Sequence, residues 1–312
     1  MKKALIIGSE GQDGKLLTLF LKEKDYIIHG IGREKSNESQ LDKFTLLDLN
    51  SPENITRYLN EKNEQYDEVY YIAAYHHSAV DSGLNDQSAL VTNSFNVNLL
   101  SFVNVLNYIQ NKSIHTKVFY CSSSLIYEGI DNHVQTEETI PQPESIYAIT
   151  KHSAMQIAKH YRDFHGIFVT VGILYNHESL FRKDNFLSKI IINGVKEIVE
   201  GSSKTFQIGN LSSQTDWGYA YDYVEAMWHL LQLEDSGEYI ISSNQLKEVK
   251  DWLEVLSENL NFQWKECVVE NPNLLKRKRK VLQGDNSKLK NTGWYPKTNF
   301  EEMVMKIYNN QI

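Results

Sequence analysis

The stretch KALIIGSEGQDG, Lys3–Gly14, sets an apolar run directly against three evenly spaced glycines, Gly8, Gly11 and Gly14, and LLTLFLKEK follows with helical spacing. A chain that starts this way has few folds open to it. The run reads as a buried strand, the glycines permit a tight turn, and the helix opening behind them presents backbone N–H groups to an anion. That unit takes a pyrophosphate, and it belongs in a parallel sheet.

The segments that follow extend the pattern. DYIIHGIG, KFTLLDLN, YDEVYYIAAY and TKVFYCSSS read as further strands, with FVNVLNYIQ as a helix between the last two. HSAMQIAKHYRDFHG is a helix running into the strand FVTVGILYNH. Strands alternating with helices imply right-handed βαβ units, so the expected architecture is α/β, a Rossmann-type doubly wound parallel sheet. FLSKIIINGVKEIVEG and YDYVEAMWHLLQLED add helices, TFQIGN and EYIIS add strands, and no Pro/Gly/Ser-rich linker divides the chain. The expected division is an NAD(P)-binding domain over residues 1–175, rejoined by 215–245, and a smaller lobe from 176–214 and 246–312.

Composition narrows the function. With 312 residues, 41% hydrophobic and 23% charged, the chain has material for a sizeable core. A net charge of -8 offers no attraction to nucleic acid or to an anionic membrane. The basic run KRKRK at Lys276–Lys280 is, as a bare pattern, a solvated surface. Cys121 and Cys267 stand far apart with no metal-ligand spacing, so no metal is expected. No unbroken apolar run approaches the ~20 residues of a membrane span, and the expected location is the cytoplasm.

The chemistry is carried by SIYAITK, in which Tyr147 and Lys151 share one face of a helix. An ammonium one turn from a phenol lowers its pKa, so that a phenolate can take a proton from a sugar hydroxyl while hydride leaves the carbon. Ser123, at the end of the serine-rich strand, is the hydroxyl expected to bind the reacting oxygen. The cofactor is NAD or NADP. Arg33, just past the second strand, leans toward NADP and Glu34 toward NAD, which leaves the choice open with NADP ahead. Asp48, ending the third strand, suits the adenine amine.

Together the glycine turn, serine strand and YxxxK resemble the extended short-chain dehydrogenase/reductase superfamily. KKALIIGSEGQDG, YYIAAYHHSAV, SIYAITK, GILYNHES, GNLSSQTDWGYAYDYVEAMW and GDNSKLKNTGWYPKTNFEEMV are similar to the GDP-mannose 4,6-dehydratase family within it. The resemblance implies NAD(P)-dependent action on a nucleotide-diphosphosugar, in polysaccharide sugar biosynthesis, by a homodimer or homotetramer. It adds Gln12 and Asp13 in the turn, Leu49 beside Asp48, Ala73 and Ala74 after the fourth strand, and Asn98 to the cofactor site. On the substrate side it implies Ser124, Leu125, Asn176, Arg182 and Lys189, with Arg277 and Arg279 as weaker candidates. GDP is the leading nucleotide by resemblance alone, CDP or UDP being open.

Departures matter as much. Anchored on Tyr127, the family's catalytic glutamate falls on Leu125, which has no proton to exchange. The expectation is therefore hydride transfer at C4 alone, as a 4-dehydrogenase or 4-ketoreductase. The alternatives are a 4,6-dehydratase with a substitute acid, Glu128 first among them with His76 and His77 behind it, and a 4-epimerase. Gln214 and Thr215 stand where the family has an arginine, Lys278 where it has a base-reading glutamate, and Glu10 where the glycine turn has a threonine.

Overall fold

The computed structural model describes residues 1–34, 40–76, 87–131, 134–274 and 280–312. Arg277 and Arg279, with Lys278 and His77, lie outside the described residues.

The first strand, β1 (Lys3–Ile7), is apolar and buried from Ala4 onward because both faces of the sheet are covered. Leu5 and Ile7 enter one core cluster and Ala4 and Ile6 the other, the alternation that a strand's two-residue period imposes. Around it are β2 (Ile27–Gly32), β3 (Lys43–Leu46), β4 (Glu68–Tyr71) and β5 (Lys117–Ser123), followed by the strands Val169–Leu174 and Glu238–Ile241. All pairings in this sheet are parallel. From one edge the order is Glu238–Ile241, Val169–Leu174, β5, β4, β1, β2, β3, seven strands that reverse direction of winding next to β1. The doubly wound sheet is the one expected.

The helices α1 (Gln12–Glu23) and Ala220–Gln232 cover one face through Leu16, Leu17, Phe20, Val224 and Met227. The helices Glu53–Lys62, Ser101–Lys112 and Ile146–His165 cover the other through Ile55, Phe102, Val105, Leu106 and Ala158. The second of these continues back to Gln87 through a π-turn at Asn96–Leu100. Taken whole, Ser88–Lys112 is long and apolar enough to cross a membrane by length and composition. That corrects the reading from unbroken apolar runs, which asparagines interrupt here. Its apolar side packs into the core beneath the sheet, so it is a core helix.

A second lobe is built around the short sheet Leu246–Glu248, Gln214–Tyr219 and Asn176–Glu178. Its core gathers Ile191, Trp217, Trp252, Leu256, Phe300 and Val304, with Trp252 edge-on to both Trp217 and Phe300. Asp216 ties this lobe to the end of the main sheet. Its buried carboxylate accepts from Ser243 N at 2.9 Å, Ser243 Oγ at 2.6 Å, Asn244 N at 3.1 Å and Gly284 N at 3.2 Å.

Replacing Asp216 by Ala strands three backbone N–H groups in a buried site, and the expected cost is roughly 3 kcal/mol or more. Urea unfolding measures it. A loss under about 1 kcal/mol would mean that water takes over the carboxylate's place.

Candidate active site

The site forms where β5 ends beside the N-terminus of the helix Ile146–His165. Ser123 leaves the strand as the cap of a single 3-10 turn, Ser124–Tyr127, its Oγ accepting from Leu125 N at 3.3 Å. Ser145 caps the helix, its Oγ accepting from Ala148 N at 3.3 Å, so Tyr147 and Lys151 follow on successive turns. The Ser123 hydroxyl stands near enough to the Tyr147 phenol to favour its ionised form. Lys151 is fully buried. Its Nζ donates to Cys121 O at 2.8 Å and lies 4.9 Å from the Tyr120 ring centroid and 5.7 Å from that of Tyr147. The three residues expected to act together are brought together.

Their electrostatics differ from expectation. Burial pushes the Lys151 ammonium down to about 8, and it pushes the Tyr147 phenol above its ordinary value, with the Ser123 hydrogen bond pulling the other way. Both charged forms lose solvent, and that loss exceeds the support each draws from its neighbours. Burial likewise raises the neighbouring Cys121 thiol to about 12, so it is no nucleophile.

The cofactor side is built by the glycine turn. Gly8 has φ +104, and a Cβ there would stand 2.7 Å from Ala73 N. A Cβ on Gly14 would stand 2.4 Å from Gly8 O, whereas one on Gly11 would meet only Gly8 O, at 3.5 Å. Gly11 caps α1 without any side-chain hydrogen bond. The first turn of the helix thus keeps its N–H groups for an anion, and the residues fit a pyrophosphate.

Several of the residues expected at the cofactor also make contacts within the fold. Asn98 is fully buried in the π-turn. Its Oδ1 accepts from Tyr75 N at 2.8 Å and its Nδ2 donates to Tyr75 O at 3.2 Å and Thr150 Oγ1 at 3.0 Å, pinning the loop after β4 to the helix Ile146–His165. Asp48 spends one oxygen on Asn50 N at 3.0 Å, a local turn, beside buried Leu49. Arg33 is exposed past β2, Ala73 donates its N–H to Ile7 O at 2.7 Å, and Ala74 is exposed.

Gln12 and Asp13 reach across to the second lobe, which no sequence pattern announced. Gln12 Nε2 donates to His177 O at 3.1 Å, Ser179 Oγ donates to Gln12 Oε1 at 2.9 Å, and His177 Nε2 lies 3.0 Å from Asp13 Oδ1. Burial alone would raise Asp13, but the His177 charge and hydrogen bond outweigh it and hold the carboxyl down. Burial would likewise lower His177, yet Asp13 raises it. His177 also stacks on Tyr223 at 4.7 Å.

Among the residues expected on the substrate side, Asn176 is half-buried at the edge strand of the lobe's short sheet. Arg182 stacks on Phe186 at 3.9 Å, its Nε 3.2 Å from Glu178 Oε2 but out of line for a hydrogen bond. Lys189 lies in the first turn of the helix Leu187–Val199 with most of its side chain buried. Leu125 is half-buried and Ser124 buried beside Ser123. Glu128 is committed elsewhere: its Oε1 accepts from Ser145 N at 2.6 Å and Glu144 N at 3.1 Å, bracing the start of the helix Ile146–His165. His76, by contrast, lies edge-to-face on Tyr147 with ring centroids 4.7 Å apart.

Comparison with known proteins agrees with this geometry. The family model described as GDP-mannose 4,6 dehydratase matches residues 5–307. GDP-mannose 4,6 dehydratase 1 of Arabidopsis thaliana is 33% identical over all of this chain and 90% of its own length. The GDP-mannose 4,6-dehydratase of Vibrio cholerae serotype O1 is 34% identical over 84% of this chain and 73% of its own. Among solved structures, RMD from Pseudomonas aeruginosa complexed with NADPH superposes with a TM-score of 0.81 at 20% identity, covering 99% of each chain. UDP-glucose 4-epimerase of Thermotoga maritima with UDP-glucose gives 0.84 at 18% identity, over 99% of this chain and 98% of that one. These two likenesses speak for the fold.

Lowering the Lys151 pKa from 10.5 to about 8 corresponds to roughly 3 kcal/mol of instability. The sign follows from linkage: the folded state binds its proton more weakly than the unfolded chain, so the penalty is full below about pH 8 and fades as pH rises toward 10.5. Lys151→Met is therefore expected to lose turnover while matching or exceeding the parent's stability at pH 7, an advantage that shrinks over that alkaline range. Denaturant titration across pH checks it; a variant several kcal/mol weaker at pH 7 would show that the bond to Cys121 O outweighs the buried charge.

Proposed function

Because the chain belongs to the GDP-mannose 4,6-dehydratase family, we propose that it acts on a GDP-hexose or GDP-heptose with NAD or NADP, as a nucleotide-sugar enzyme of 4,6-dehydratase type that begins with oxidation at C4. The observation that carries this is the convergence of Ser123, Tyr147 and buried Lys151 at the end of β5. A bound nicotinamide dinucleotide supplies the hydride acceptor. Ser123 holds the sugar C4 oxygen, and Tyr147 acts as its phenolate, taking the C4 hydroxyl's proton to become the phenol as hydride leaves the carbon for the dinucleotide. Lys151, half-titrated near pH 8, supplies the positive charge that stabilises that phenolate before it takes the proton. Lys189 and Arg182, flanking the start of one helix in the second lobe, offer cationic groups for the diphosphate. Assembly as a homodimer or homotetramer is part of the same reading.

Dehydration needs a further group to remove the C5 proton and return it to the departing C6 hydroxyl. The resemblance puts Leu125 at the family's glutamate, and Glu128 faces the catalytic helix's own N–H groups. His76, packed against Tyr147, is the group that supports this step: its neutral imidazole can accept the C5 proton and its imidazolium can give it to the leaving hydroxyl. Family membership favours dehydration over the 4-dehydrogenase or 4-ketoreductase that Leu125 suggested. The simpler hydride-only reading keeps Leu125 and the engaged Glu128 in its favour.

Incubation with GDP-mannose and GDP-manno-heptose in D2O, read by mass spectrometry, separates the two. A product lighter by water, with deuterium from solvent, supports dehydration. A product lighter only by two hydrogens supports the hydride-only reading and removes His76 from the mechanism. Tyr147→Phe should lower kcat by about 10²- to 10⁴-fold on either reading. His76→Ala should abolish water loss yet leave C4 oxidation measurable as cofactor reduction.

A further inference from the structure

Ser123 and Tyr147 stand at the two ends of one short run of hydrogen bonds. Ser123 caps the 3-10 turn Ser124–Tyr127 at its start, and Glu128 closes that turn, its N–H donating to Leu125 O at 3.0 Å. Beside the turn runs the loop that leads into the helix Ile146–His165. Gln142 N donates to Ile126 O at 2.8 Å and Gly129 N to Gln142 O at 2.9 Å, so backbone laces the turn to the loop. The approach is close, for a Cβ on Gly129 would stand 2.6 Å from Gln142 O. Pro143 then has no N–H with which to continue the lacing. The Glu128 carboxylate takes over from the backbone: Oε1 accepts from Glu144 N at 3.1 Å and from Ser145 N at 2.6 Å. Ser145 is the cap of the helix, and Tyr147 follows it by two residues.

We propose that Glu128 is a positioning residue for the step at C4, its carboxylate fixing the start of this helix so that the Tyr147 phenol stands beside the Ser123 hydroxyl. The inference rests on the reading of Ser123 and Tyr147 as the groups that meet the sugar C4 oxygen, and it adds the residue that sets the distance between them. A carboxylate suits the task for two reasons. Hydrogen bonds to an ionised acceptor are roughly twice as strong as neutral ones, and here one oxygen takes two N–H groups. Negative charge just before a helix N-terminus is also stabilised by the helix dipole. The distance matters because proton transfer needs hydrogen-bond reach, and a misplacement of about 1 Å costs about 100-fold in rate. Glu128 thus acts on the rate through Tyr147, without touching the sugar.

Glu128→Ala removes the acceptor, whereas Glu128→Gln keeps an oxygen in its place without the charge. Single-turnover reduction of bound dinucleotide by GDP-mannose or GDP-manno-heptose reads the C4 step. Glu128→Ala should slow it by about 10- to 100-fold with the half-saturating sugar concentration changed by less than about 3-fold, and Glu128→Gln should recover most of the rate. A second readout needs no sugar: the NMR signal of the Tyr147 phenol carbon in protein isotope-labelled at tyrosine, assigned by its loss in Tyr147→Phe. Ser123→Ala shows how that signal moves when the neighbouring hydroxyl is gone. Glu128→Ala should move it in the same direction, and Glu128→Gln should leave it close to the parent's. If Glu128→Ala does not fold, Glu128→Asp, which draws the carboxylate back by one methylene, replaces it with the same two expectations. A folded variant of either kind that keeps the parental rate, or leaves the Tyr147 signal in place, overturns the inference. So does a Glu128→Gln variant as slow as Glu128→Ala, because that assigns Glu128 to proton transfer itself. Should the parent turn over neither sugar, the substrate reading fails by itself, and the Tyr147 signal alone decides the inference.

Discussion

There is no room for a side chain at Gly8. With φ +104 and Ala73 N where a Cβ would go, the chain leaves β1 in a conformation that only glycine adopts without strain. Three strand ends meet there. Gly8 and Ser9 bond back to Ile31 at the end of β2, and Ala73, after β4, bonds to Ile7 at the end of β1. That close crossing sets where α1 begins, and so where its uncapped N-terminus and the side chains of Glu10, Gln12 and Asp13 stand.

From that fixed point the second lobe is engaged through polar contacts. Gln12 bridges His177 O and Ser179, and Asp13 pairs with His177, which is itself stacked on Tyr223. A partly buried ion pair earns little net stability once desolvation is counted, but it is intolerant of misplacement, because separating the partners leaves each charge partly desolvated and alone. The glycine turn and the strand Asn176–Glu178 of the second lobe therefore share one hydrogen-bonded network.

Much of this was legible in the residues. Tyr147 and Lys151 could be paired because the helical period places i and i+4 on one face, and Ser123 because a strand end next to such a helix is near in space. The strands of the main sheet could be read from short apolar runs that alternate with helices. Other parts were not legible. Asn98 looks like any polar residue of a helix, yet a π-turn and three hydrogen bonds make it a pin between the loop after β4 and the helix that carries Tyr147 and Lys151. Glu128 is the acid nearest in sequence to Leu125, yet it braces backbone N–H groups sixteen and seventeen residues further on.

By itself the sequence determined what depends on neighbours along the chain: the tight turn at Gly8, the uncapped helix start, the parallel strands and the shared face of Tyr147 and Lys151. Tertiary structure decided what depends on solvent and on distant partners. Lys151 titrates near 8 because the sheet and its helices exclude water from it, a condition set by the whole domain. Asp13 is held ionised by a histidine 164 positions away, and Glu10 meets the end of β2 only because the turn is folded across it. Dielectric environment and long-range charge are sums over everything packed nearby, and no short stretch of residues contains them.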